Sequence, residues 1–140
     1  MGQTELMGIQ LTKDSVDLGI VVRDADKALA FYRDLLGFVP AGESAFPGGG
    51  TMHRLMCGAS MIKLVAPSKV PDAANPPGGI VAASGYRYWT ISVSNLDELV
   101  AAATKAGVKI AVGRTDIRPG VSIAMLEDPD GNWVELLEIA

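Results

Sequence analysis

Residues 17–37, DLGIVVRDADKALAFYRDLLG, and residues 88–108, YWTISVSNLDELVAAATKAGV, align without a gap. Few residues are identical, but both copies carry the same pattern. A short run of alternating or continuous apolarity gives way to a capping residue, and an apolar stripe at helical spacing follows. In the first copy the pattern predicts a strand over 17–22 and a helix capped by Asp24, with Ala28, Phe31 and Leu35 on its inner face. Gly37 is placed to end that helix in a left-handed conformation. In the second copy a strand is expected over 87–93. Ser94 is expected to cap the next helix, with Asp97 three residues on, Leu96, Leu99, Val100 and Ala103 facing inward, and Gly107 at the end.

The repeat extends past the helices. GASMIKLV (58–65) resembles DGNWVELL (130–137): each is a turn followed by an alternating strand with a charge at its centre, Lys63 in one and Glu135 in the other. Further strands are expected at 51–57 and 120–127, and shorter ones at 38–43 and 108–112. The fold class is therefore α+β, two βαβββ modules at 15–66 and 86–140 in one compact domain. The segment 67–85 is rich in Pro, Gly and small residues, which reads as a linker or as a loop covering a site.

Bulk composition narrows the function. A chain of 140 residues with 49% hydrophobic and 20% charged residues can bury one sizeable core. A net charge of −4, with no basic run, argues against a nucleic-acid partner. The first fifteen residues have no basic, apolar signal-peptide pattern, and Leu6 stands where a myristoylation signal has Ser or Thr. No apolar run is long enough to cross a bilayer, so no membrane partner and a cytoplasmic location are expected. Cys57 is the only cysteine, which excludes an internal disulfide, and it has no evident base to make it a nucleophile. PGGG (47–50) and PPGG (76–79) lack the lysine and helix of a phosphate loop and read as turns. Asp128 and Asp130 read as turn-shaping residues, since no calcium-loop spacing surrounds them.

The paired modules, the DADKALAFYRDLLGF opening and the EDPDGNWVELLEI ending resemble the vicinal oxygen chelate superfamily: glyoxalase I, bleomycin-resistance proteins, fosfomycin-resistance enzymes and extradiol dioxygenases. The resemblance implies an incomplete barrel around a cleft, helices outside, and often a homodimer. It also implies a divalent metal held at four strand positions, which here are Asp17, Lys63, Tyr88 and Glu135. Only Glu135 is a usual ligand. Asp17 suits a hard cation, whereas an ammonium and a phenol are poor donors at neutral pH. No cofactor is expected for that reason. Any metal would rest on Asp17 and Glu135, because the single histidine, His53, should pair opposite Leu64 and turn away from the cleft.

Strand alternation then sorts the cleft face. Met61 and Val65 accompany Lys63, and Met52, Arg54 and Met56 lie across the hairpin. Tyr86, Thr90 and Ser92 accompany Tyr88, and Trp133 and Leu137 accompany Glu135. Methionine and aromatic walls suit a flat or aromatic small molecule. The Lys63 ammonium is expected between Asp17 and Glu135, in place of a metal cation. Three readings stay open. One is a metal-independent small-molecule binder using Asp17, Arg54, Met52, Met56, Met61, Tyr86, Thr90 and Trp133. Another is a lyase or isomerase on a carbonyl compound, with Glu135 as base and Lys63 or Tyr88 as acid. The third is a weak metal enzyme. Classical glyoxalase I activity is disfavoured by the missing ligands.

Overall fold

The computed structural model describes residues 8–140; residues 1–7, on which the N-terminal signal readings partly rest, lie outside it. The first module runs β1 (Asp17–Val21), α1 (Ala25–Leu29, continued by a π-helical turn at Ala30–Leu35), β2 (Val39–Ala45), β3 (Gly50–Cys57) and β4 (Ser60–Pro67). The second runs β5 (Tyr88–Ser92), α2 (Leu96–Lys105), β6 (Lys109–Arg118), β7 (Val121–Glu127) and β8 (Trp133–Ile139). Each module folds into a four-stranded sheet, ordered β1-β4-β3-β2 and β5-β8-β7-β6. In both, the first strand is parallel to the last and the remaining pairs are antiparallel. Neither sheet closes into a barrel, as expected for two βαβββ modules.

Local chemistry explains most boundaries. Asp24 is the N-cap of α1, accepting a hydrogen bond from the Lys27 amide at 3.1 Å. Gly37 (φ 77°) ends the helical segment. Before that, the helix widens: the Leu36 amide donates to the Phe31 carbonyl, five residues back. Within this segment two successive aromatics, Phe31 and Tyr32, are each at most 3% exposed.

The expected cap at Ser94 is corrected. Asn95 occupies the N-cap of α2 without a side-chain hydrogen bond to a helix amide; its Nδ2 donates to the Glu98 carboxylate at 3.5 Å instead. The first amide of the helix, that of Leu96, donates instead to the Glu138 carboxylate of β8 at 2.8 Å. A partner 42 residues away satisfies the helix end, which no local pattern reveals.

One core joins the modules on the helix side of both sheets. Ile62, Leu64 and Leu55 from the first module meet Leu126, Val134 and Leu136 from the second, with Phe31, Tyr32, Leu96 and Ala103 from the helices. Aromatic rings bridge the join: Tyr32 stacks on Phe38 (centroids 5.9 Å apart) and on Trp89 of β5 (6.4 Å). Burying the helix faces leaves the opposite face of each sheet open. The alternation of β1 and β5 is plain there, with Asp17, Gly19, Val21, Tyr88, Thr90 and Ser92 exposed and the residues between them partly buried.

Candidate functional site

The open faces carry the residues expected from sequence. The register pairs Arg54 with Lys63, Met52 with Val65 and Met56 with Met61 across β3 and β4, so these side chains share one face. On the second sheet, Tyr88 pairs with Trp133 and Thr90 with Glu135. His53 pairs with Leu64 and so lies on the helix-side face, where its Nδ1 is 3.1 Å from the Glu43 carboxylate. Burial pushes the Cys57 thiol pKa up, which disfavours the thiolate.

Between the edge strands β1 and β5 lies a cavity of about 680 Å³. Asp17, Gly19 and Val21 form one wall; Tyr86, Tyr88 and Trp133 form the other. Arg23, Asp130 and Asn132 close one end, where Asp130 accepts from both the backbone amide and Nε of Arg23, at 3.1 and 2.9 Å. Of the expected site residues, Asp17, Tyr86, Tyr88 and Trp133 line this cavity. Lys63, Arg54, Met52, Met56 and Met61 lie outside its lining, on the open face of the first sheet, and Thr90 and Glu135 on that of the second.

The segment 67–85 folds down onto this region. Arg87 holds it through all three guanidinium nitrogens: Nε donates to the Gly79 carbonyl at 2.7 Å, Nη1 to Asn75 Oδ1 at 3.1 Å and Nη2 to the Pro76 carbonyl at 2.7 Å. Asn75 in turn donates to Asn132 Oδ1 at 3.2 Å. Gly79 (φ 61°) lies flat on the Trp133 indole, and a β-carbon there would clash with the ring. Only glycine fits this contact. Pro71, Ala73, Ala74 and Asn75 complete the cavity wall, so the segment is a strap over the cavity. Arg87 and Gly79 were not legible as site residues, since Arg87 bonds to oxygens of an irregular loop and Gly79 packs on the indole of a strand distant in sequence.

Lys63 makes only half of the expected bridge. Its Nζ lies 3.5 Å from Asp17 Oδ2, but among the described residues it has no ion pair with Glu135. Glu135 instead accepts a hydrogen bond from the Thr90 hydroxyl at 2.7 Å. Lys63 stands beside Gly19 on the first sheet and Glu135 beside Thr90 on the second, so each is paired within its own module. Asp17 also accepts from Lys13 at 2.6 Å. That hydrogen bond and the two nearby ammonium charges hold its carboxyl below the usual range. These positions do not fit a divalent metal. Two ammonium groups already engage the Asp17 carboxylate, and no group of three His, Cys, Asp or Glu side chains able to hold a metal exists among the described residues.

A second acidic feature lies behind the site. Asp128, 4% exposed, accepts from the Asp130 and Asn132 amides, from Asn132 Nδ2 and from the Tyr32 hydroxyl at 2.5 Å. Burial raises its pKa despite these bonds, and burial together with the Asp128 charge raises that of Tyr32 strongly. The turn at 128–132 is thus shaped by Asp128, and the Tyr32 bond ties it to the helix of the other module.

Residues 13–136 match the family model of the glyoxalase/bleomycin resistance protein/dioxygenase superfamily. The chain belongs to this superfamily. A glyoxalase family protein from Bacillus cereus is 21% identical, with 96% of this chain and 98% of that one covered and a TM-score of 0.80. Glyoxalase I from Leishmania major, a trypanothione-dependent enzyme, is 25% identical, with 87% and 84% covered and a TM-score of 0.66. A V278E mutant of glyoxalase I from Zea mays is 21% identical over 86% of this chain and 43% of that one, with a TM-score of 0.73. No curated protein sequence matches. Among the described residues, no helix of this superfamily member is long and apolar enough to cross a membrane.

Proposed function

We propose that this superfamily member binds a flat or aromatic small molecule in the cavity between β1 and β5, without a metal. The observation that carries the reading is the ammonium of Lys63 against Asp17, a protein cation at chelate positions. The cavity supports it by its size and by its tyrosine and tryptophan walls under a strap. Tyr88 and Trp133 supply the faces on which a planar ligand rests, and Asp17 the polar edge.

The test is titration with 1-naphthol, followed by tryptophan fluorescence. The expected result is saturable quenching that weakens at least fivefold in Tyr88→Ala, with no change in the probe by mass spectrometry. Quenching that is linear, or unchanged by the substitution, refutes the reading.

One observation favours the enzymatic alternative. Thr90 orients one oxygen of Glu135, and the other accepts no hydrogen bond among the described residues, as a general base requires. Exchange of the α-protons of 2-hydroxyacetophenone in deuterated water, followed by NMR and abolished in Glu135→Gln, would establish it. No acceleration over buffer removes it.

A further inference from the structure

Arg54 and Lys63 sit directly opposite each other on β3 and β4, two cations on one open sheet face. Like charges in that position repel unless a counter-charge lies between or beside them. Asp17 is the only carboxylate paired with this group among the described residues, and it is shared by Lys63 and Lys13. Arg54 has no ion pair among the described residues; its Nη2 donates to the hydroxyl oxygen of Ser44 on β2 at 3.0 Å. Two cations therefore share one carboxylate, and the third, Arg54, is left without a counter-charge among the described residues. Arg54 as a residue is half-buried; its guanidinium is held by Ser44 at an exposed hydrogen bond and retains further N–H donors. The Ser44 hydroxyl keeps its own proton to donate. The apolar side chains of Met52 and Met56 flank Arg54 on the same face and limit its hydration.

We propose that Ser44, Arg54 and Lys63 form an oxyanion site, taking a carboxylate or phosphate group of the bound molecule. The inference rests on the reading of the cavity as a small-molecule site and names its ligand class: a flat apolar body bearing one anionic group. Lys63 links the two parts through Asp17, which lines the cavity. Neighbouring strands are about 4.8 Å apart, so the ligand spans about 10 Å from β1 to β3. Arginine suits the role because its planar fork matches two oxygens of one anion.

Two probes of one shape, 1-naphthol and 1-naphthoate, separate this site from the cavity reading. The expected result is that 1-naphthoate binds at least tenfold more tightly. That preference, taken as the ratio of the two affinities within each variant, should fall to under threefold in Arg54→Met and in Lys63→Met and be partly kept in Arg54→Lys. Equal binding of the two probes overturns the anion site and leaves the cavity reading intact.

If neither probe binds, the cavity reading fails. Inorganic phosphate at constant ionic strength then decides the anion site: a rise in melting temperature that is lost in Arg54→Met supports it, and no rise overturns it. Phosphate protection where neither probe binds assigns the anion to a free phosphate. Circular dichroism identifies variants that misfold, and Arg54→Gln replaces any that do. Dissociation of a dimer by Arg54→Met overturns the proposal, because the arginine then serves a carboxylate of the second copy.

Discussion

The β3–β4 and β7–β8 hairpins occupy equivalent places in the two modules but differ at both the turn and the strand centre. The first turns through Gly58 and Ala59, with Cys57 paired to Ser60, and Gly58 takes φ 58°. The second turns through residues 128–132 around a buried carboxylate that also anchors Tyr32. The first strand centre carries Lys63 beside Asp17, and the second carries Glu135 beside Thr90. One hairpin is a simple local turn bearing surplus positive charge. The other is a junction between modules bearing a carboxylate held by a hydroxyl. Duplicated topology does not impose duplicated chemistry, because a turn needs only the right backbone angles, whereas its side chains serve whatever packs behind it.

The junction should be the more costly to break. Asp128→Ala removes the acceptor of four hydrogen bonds in a buried place and is expected to cost about 3–5 kcal/mol. Gly58→Ala in the other turn should cost about 1–2 kcal/mol, the strain of a left-handed alanine. Urea denaturation of the two variants measures the difference, and equal losses would erase the distinction.

Gly79→Ala should cost about 1–3 kcal/mol, or displace the strap from Trp133, because its β-carbon meets the indole. A red-shifted tryptophan emission with faster acrylamide quenching would record the displacement. An unchanged spectrum and melting temperature would mean that the strap contact is dispensable.

Tyr32→Phe should cost about 1–2 kcal/mol at neutral pH, the value of a buried hydrogen bond to a carboxylate. It should also change the alkaline limb. The folded state raises the Tyr32 pKa above its ordinary value near 10. The associated stability is complete below pH 10 and is lost as pH rises beyond it, because the unfolded chain gives up the proton first. The substitution should therefore flatten the fall in stability between pH 10 and 11, as followed by urea midpoints. The smallest effect is expected from Thr90→Val on the open face, under about 1 kcal/mol, since Thr90 is exposed and its bond to Glu135 has water as an alternative.

Much of the fold was legible because it is written in short-range pattern. Period-two alternation separates Asp17, Gly19 and Val21 from Leu18 and Ile20, and the same rule places His53 with Leu64. Asp24, Gly37 and Gly107 mark helix ends by local hydrogen bonding and φ preference. The candidate site was legible only in part. Alternation found the open faces, but it could not show that the cavity runs along the β1–β5 seam, with Lys63 and Glu135 outside its lining. The Ser94 cap failed for the same reason: Glu138, from another strand, satisfies the helix end.

By itself the sequence determined two βαβββ modules, their turns, and the side of each strand that its residues face. These follow from backbone sterics and from the burial of apolar side chains, which act over a few residues. Tertiary structure decided which charges meet, that Tyr32 bonds to Asp128 at a separation of 96 residues, and that the segment after β4 is a strap held by Arg87. Those outcomes depend on where two sheets come to rest against one shared core. A polar group takes the partner that this arrangement brings within about 3 Å, and distance along the chain does not enter.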